Sequence, residues 1–99
     1  MNEIIRRLVI RGRVQGVGYR AWVEDTAHAR GLAGWVRNRR DGSVEAVFAG
    51  SDDEITDMIT ACHRGPTPAR VTQIETHAAD ARTLDQRVPG ERFSVLATV

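Results

Sequence analysis

The chain has 99 residues, 41% of them hydrophobic and 27% charged, which supplies one core and excludes a disordered or fibrous chain. Fourteen basic against thirteen acidic residues leave a formal net charge of +1, a poor match to a general nucleic-acid or membrane binder. A lone cysteine, Cys62, excludes an internal disulfide and fits a reducing compartment, and no apolar run approaches the roughly 20 residues that span a bilayer.

Residues 4–11 (IIRRLVIR) read as the first strand, with Ile4, Leu8 and Ile10 on one face and Arg7 and Arg11 on the other. The following RVQGVGY carries Gly16 and Gly18 and no helical period, so it reads as a loop. From about Arg20 to Arg30 the spacing turns helical. Tyr19, Trp22, Val23, Thr26 and Ala27 form one stripe, Glu24, Asp25 and His28 lie opposite, and Gly31 suits the C′ stop. Residues 33–40 and 43–49 read as a hairpin joined by Asp41-Gly42, a dipeptide that favours a type I′ turn.

Ser51 and Glu54 fit a capping box for a second helix, with Asp52 and Asp53 at the positive end of its dipole. Its apolar stripe is Ile55, Met58, Ile59 and Cys62, and Gly65-Pro66 ends it. Residues 69–77 read as a fourth strand, 78–91 as a polar loop and 92–97 as a short final strand. The order βαββαβ with a tail strand is the split βαβ pattern. It predicts an α+β ferredoxin-like sandwich, a single domain over residues 1–99, with two helices on one face of a mostly antiparallel sheet.

Charge is unevenly divided along this order. Residues 1–49 hold nine arginines and five acids, residues 50–99 five arginines and eight acids. The junction Gln15-Gly16-Val17-Gly18-Tyr19-Arg20 offers a use for that excess. The first N–H groups of a helix lack internal partners and carry the positive end of the dipole. A glycine-containing loop ahead of them can curl further N–H groups around an anion, and Arg20 adds a guanidinium fork matched to phosphate. A plain glycine turn followed by a surface arginine would use the same residues. The spacing matches neither G-x-G-x-x-G nor the P-loop, which requires a lysine that this chain lacks.

The run Gly12-Arg13-Val14-Gln15-Gly16-Val17-Gly18-Tyr19-Arg20 resembles the acylphosphatase signature G-x-V-Q-G-V-x-[FY]-R. Residues 34–45 (GWVRNRRDGSVE) resemble that family's second signature, G-x-V-x-N-x-x-D-G-x-V-E. Similarity extends through Cys62-x-x-Gly65-Pro66 and Ala69-x-Val71 to Phe93-x-Val95, and so covers nearly the whole chain. Tyr19 stands where the motif often has Phe, and the usual terminal tyrosine is missing.

The resemblance implies the same βαββαβ fold and hydrolysis of the carboxyl–phosphate bond of acyl phosphates by direct water attack, with no metal and no cofactor. Carried over position by position, it implies that Arg20 and the backbone N–H groups of Gln15, Gly16, Val17, Gly18, Tyr19 and Arg20 bind the phosphate. Asn38 would position the attacking water. The implied partners are a small-molecule acyl phosphate and inorganic phosphate, which is both product and competitor. Neither nucleic acid nor membrane enters, and the expected form is a cytoplasmic monomer.

Other chemistries find less support. His28, His63 and His77 are scattered, without ligand-spaced cysteine or carboxylate neighbours, so no metal site is expected. Cys62 completes an apolar stripe and reads as a buried thiol. Glu24 and Asp25 diverge by about 100° on a helix and read as surface residues, not an acid/base pair. None of Ser43, Ser51 and Ser94 sits in G-x-S-x-G. Trp22 and Trp35 read as packing residues; Arg37, Arg39 and Arg40 read as a solvated strand face that also raises the local potential for anions. An RNA-recognition module would need aromatics on its central strands. The first strand has none, and Phe48 shares the parity of Val44 and Ala46, hence the core. The remaining alternative is a regulatory domain that binds phosphate or another anion without turnover. The presence of both Arg20 and Asn38 argues for activity.

Overall fold

Alternation of apolar and arginine side chains from Ile4 onward builds the first strand of a five-stranded sheet. In a computed structural model that describes residues 3–99, the elements run β1 (Ile4–Arg13), α1 (Tyr19–Ala29), β2 (Ala33–Asn38), β3 (Val44–Gly50), α2 (Asp52–Arg64), β4 (Arg70–Ala78), α3 (Ala81–Leu84) and β5 (Phe93–Val95). The sheet order is β4-β1-β3-β2-β5. Every neighbouring pair is antiparallel except β2 with β5, which is parallel. β1 runs two residues past its expected end because β4 continues to pair with it through a bulge between Arg11 and Gly12.

The two long helices lie on one face, as the periodicity requires. Leu8 and Ile10 of β1, Val36 of β2 and Val44, Ala46 and Phe48 of β3 meet Tyr19, Val23 and Ala27 of α1 and Ile55, Met58 and Cys62 of α2. The capping box forms as expected: Glu54 N donates to Ser51 Oγ at 3.2 Å, and Ser51 N donates to Glu54 Oε1 at 2.9 Å. Those bonds lower the Glu54 carboxyl below its ordinary value.

Two expectations need correction. The segment expected as a polar loop contains the single-turn α3, capped by Asp80 Oδ1, which accepts from Thr83 N at 3.1 Å. α3 lays Leu84 over Ala33, Trp35, Val47 and Ala49 on the face opposite the long helices, and Trp35 Nε1 donates to Thr83 O at 2.8 Å. One turn is too short to show a periodic stripe, so its burying role was invisible to pattern.

The hairpin turn also differs. Gly42 N donates to Arg39 O at 3.1 Å and Arg39 N to Ser43 O at 2.9 Å. A type I′ turn needs positive φ at both central residues. Among the described residues no side-chain-bearing residue has positive φ, and Gly42, at 93°, follows Arg40 and Asp41. The connection is therefore a three-residue loop closed by one left-handed glycine, and β2 ends at Asn38. Asp41 Oδ1 accepts from Ser43 Oγ at 2.6 Å and Ser43 N at 2.9 Å. These bonds, the hydroxyl first, hold the Asp41 carboxyl down to about 2.

Candidate active site

Val44 at the start of β3 pairs with Ile10 on one side and Asn38 on the other. Cross-strand partners share a face, and Ile10 and Val44 both face the α1/α2 layer. Asn38 thus projects toward the helices, at the end of the sheet where the β1–α1 loop departs. Two strand spacings, roughly 10 Å, separate it from Ile10.

That loop hangs between two buried anchors, Val14 and Tyr19, each 1% exposed. The Tyr19 hydroxyl donates to the Cys62 carbonyl at 2.7 Å, tying the start of α1 to the end of α2, and burial raises the phenol well above its ordinary value. Between the anchors, Gly16 (φ 73°) and Gly18 (φ 80°) take the left-handed conformation on either side of Val17. A Cβ added at either glycine would meet nothing within 4 Å, so the glycines serve backbone geometry and not close packing. Alternating handedness of this kind turns successive N–H groups into an anion-binding nest. Among the described residues, the N–H groups of Gly16, Val17 and Gly18 donate no hydrogen bond.

The two long helices begin in opposite ways. α2 has its capping box and three acids in the first turn; α1 begins at Gly18 with no side-chain cap and no acid. Its dipole end is left uncompensated. Arg20, partly exposed and without a salt bridge among the described residues, adds a full positive charge there.

Asn38 is polar where polarity is costly. Its Oδ1 is buried with no hydrogen-bond partner among the described residues, an arrangement that costs about 1–3 kcal/mol. Its backbone carbonyl, by contrast, accepts from Val99 N at 3.2 Å. Gln15 and Tyr19, expected in the cradle, spend their side chains on the fold. Gln15 Nε2 donates to the carbonyls of Arg39 and Ser43 at 2.7 and 2.8 Å.

Other candidates lie elsewhere. Arg37 is not a free cation: its Nε donates to Glu45 Oε1 at 2.8 Å, and its guanidinium stacks 4.6 Å above Trp35. Glu45, 7% exposed, also takes Arg7 at 3.1 Å, a brace on the rear face that strand parity alone could have flagged. Cys62 is buried and its thiol pushed up to about 12 by burial, which leaves it a poor nucleophile. His28, His63 and His77 remain exposed and apart, and no group of three or more metal-ligating side chains gathers among the described residues. A cavity of about 210 Å³ beside Gly31, Ser51, Glu54 and Arg92 opens at the far end of the sheet.

Comparison with known proteins identifies relatives over the full chain. The acylphosphatase family model matches residues 6–94. An acylphosphatase from Rhodopseudomonas palustris is 60% identical over 99 residues, the whole of both chains. The crystal structure of an acylphosphatase from Bacillus subtilis superimposes with a TM-score of 0.81 at 35% identity, covering 94% of this chain and 98% of that one. An acylphosphatase from Coxiella burnetii gives 0.82 at 29% identity, covering 96% and 94%.

Proposed function

The chain belongs to the acylphosphatase family, and on that premise we propose how it cleaves the carboxyl–phosphate bond of an acyl phosphate. The N–H groups of residues 15–20 and the Arg20 guanidinium hold the phosphoryl oxygens, and Asn38 aims the attacking water. During transfer the negative charge stays on three phosphoryl oxygens, so fixed positive charge and positioning supply most of the rate. The P–O bond to the acyl group breaks as the water oxygen bonds to phosphorus, and the electron pair leaves on the carboxylate. A carboxylate is a good leaving group and needs no strong general acid. The proton lost by water goes to a phosphoryl oxygen of the substrate.

An amide suits the water-positioning role because it accepts and donates without carrying charge. An aspartate there would repel the phosphate dianion. The observation that carries this reading is the buried, unpartnered Asn38 Oδ1 on the sheet face shared with the uncapped start of α1. A buried acceptor that no protein group among the described residues satisfies is open to the reacting water. The guanidinium and the backbone donors supply the charge stabilisation that a cation would otherwise give, so the reaction runs without metal. The same reading makes the protein a cytoplasmic monomer acting as one domain over its 99 residues, in keeping with one buried free thiol. No helix among the described residues is long and apolar enough to cross a membrane.

The test is hydrolysis of benzoyl phosphate, with inorganic phosphate as competitor and with and without EDTA. Turnover that, apart from substrate ionisation, varies little between about pH 5 and 8, is inhibited by phosphate and is unaffected by chelator is the expected result, since neither an amide nor a guanidinium changes charge in that range. A bell-shaped profile set by a protein histidine, or inactivation by EDTA, would refute the assignment of roles.

A further inference from the structure

The geometry points to Gln15 as a positioning residue: its side-chain amide is the strut that fixes the phosphate cradle relative to Asn38. The inference rests on the roles given above to Arg20 and Asn38. The cradle follows β1 and the water-positioning residue ends β2, with β3 between those two strands. Each could be well formed and still be misplaced against the other.

Gln15 spans that gap. One nitrogen, Nε2, carries two protons and donates to Arg39 O at 2.7 Å and Ser43 O at 2.8 Å. Arg39 directly follows Asn38, and its N–H donates to Ser43 O at 2.9 Å, so the amide straddles the hairpin rung on which β2 ends. Both carbonyls thereby fill a second lone pair, Arg39 O already accepting from Gly42 N at 3.1 Å. Among the described residues these are the only side-chain hydrogen bonds from residues 14–18 to the hairpin. Glutamate, with acceptors only when ionised, could not make them.

Removing the strut leaves the phosphate donors intact, since they are backbone N–H groups and Arg20, but releases Asn38 from its set distance to them. A misplacement of about 1 Å can cost up to about 100-fold in rate. Turnover should therefore fall while phosphate affinity survives. A residue that merely supported the fold would move both together, or neither.

The experiment uses the full chain, benzoyl phosphate as substrate and inorganic phosphate as the binding probe. For Gln15→Met, which keeps length and removes both donors, kcat should fall about 10- to 100-fold and the phosphate Ki should change less than about threefold. For Gln15→Glu, the protonated acid donates one bond and the carboxylate none, so kcat should rise from about pH 7 to pH 5 while the parent protein stays level. That slope decides the matter even if Gln15→Met folds poorly. A Ki that rises by as much as kcat falls, a kcat within twofold of the parent, or a level Gln15→Glu profile would each overturn the inference. Asn38→Ala separates this failure from failure of the site itself. A dead Asn38→Ala beside a normal Gln15→Met removes the strut alone, whereas normal turnover by Asn38→Ala removes the site.

Discussion

Replacing Asn38 by alanine should cut turnover by about 100- to 1,000-fold without weakening the fold. The side-chain Oδ1 is buried and makes no hydrogen bond among the described residues. Removing it relieves a desolvation cost of about 1–3 kcal/mol. Against this stands lost packing of roughly 1 kcal/mol, scaling from about 0.8 per buried methylene. The balance runs from neutral to about 2 kcal/mol stabilising. For a chain of this size about 1 kcal/mol moves Tm by roughly 4–8 °C, so Tm should be unchanged or several degrees higher. Loss of one preorganised polar group costs about 100- to 1,000-fold in kcat, while the phosphate Ki should hold because the cradle is untouched. Calorimetry in phosphate-free buffer, paired with benzoyl phosphate kinetics on the same preparation, measures both. A Tm lowered by more than about 4 °C would make Asn38 a brace of the hairpin, and a surviving kcat would remove it from the chemistry.

Three further outcomes are expected. Arg20→Lys keeps the charge but loses the planar fork, so kcat/KM should fall by about 100-fold or more and phosphate inhibition should weaken; near-normal kinetics would take Arg20 out of the site. Tyr19→Phe orphans the buried Cys62 carbonyl and should cost about 1–3 kcal/mol in thermal or urea unfolding with kcat nearly unchanged; a selective loss of kcat would mean that the hydroxyl reaches the reaction. The Asp41 carboxyl, held near 2 by its Ser43 hydroxyl and backbone bonds, lies below its unfolded value. Its stabilisation is therefore full above about pH 4 and lost as pH falls toward 2. The Tm gap between the parent protein and Asp41→Ala should close over that window, and a gap independent of pH would refute the role of those bonds.

Much of the fold can be read residue by residue. The Ser51–Glu54 capping box and the Ile55, Met58, Cys62 stripe are local, so the start and the buried face of α2 follow from spacing alone. The parity that puts Val44, Ala46 and Phe48 on one face, and the two glycines that let the loop before Arg20 alternate in hand, are equally local. The residue types of the site, an arginine at a helix start and an amide at a strand end, are visible in the motifs for the same reason.

What pattern could not supply is whatever depends on two distant segments meeting. β5 joins β2 in parallel and α3 covers Trp35 because the rear face needs burial, which three paired residues and a single helical turn do not announce. Within the β2–β3 turn only Gly42 takes positive φ because the strand ends settle the loop length, so the turn departs from the one its dipeptide favours. Arg37 turns from an anion attractant into half of a pair only when Glu45 arrives from the next strand. Likewise the bareness of Asn38 and the reach of Gln15 to Arg39 and Ser43 are set across strands, where short-range periodicity carries no information.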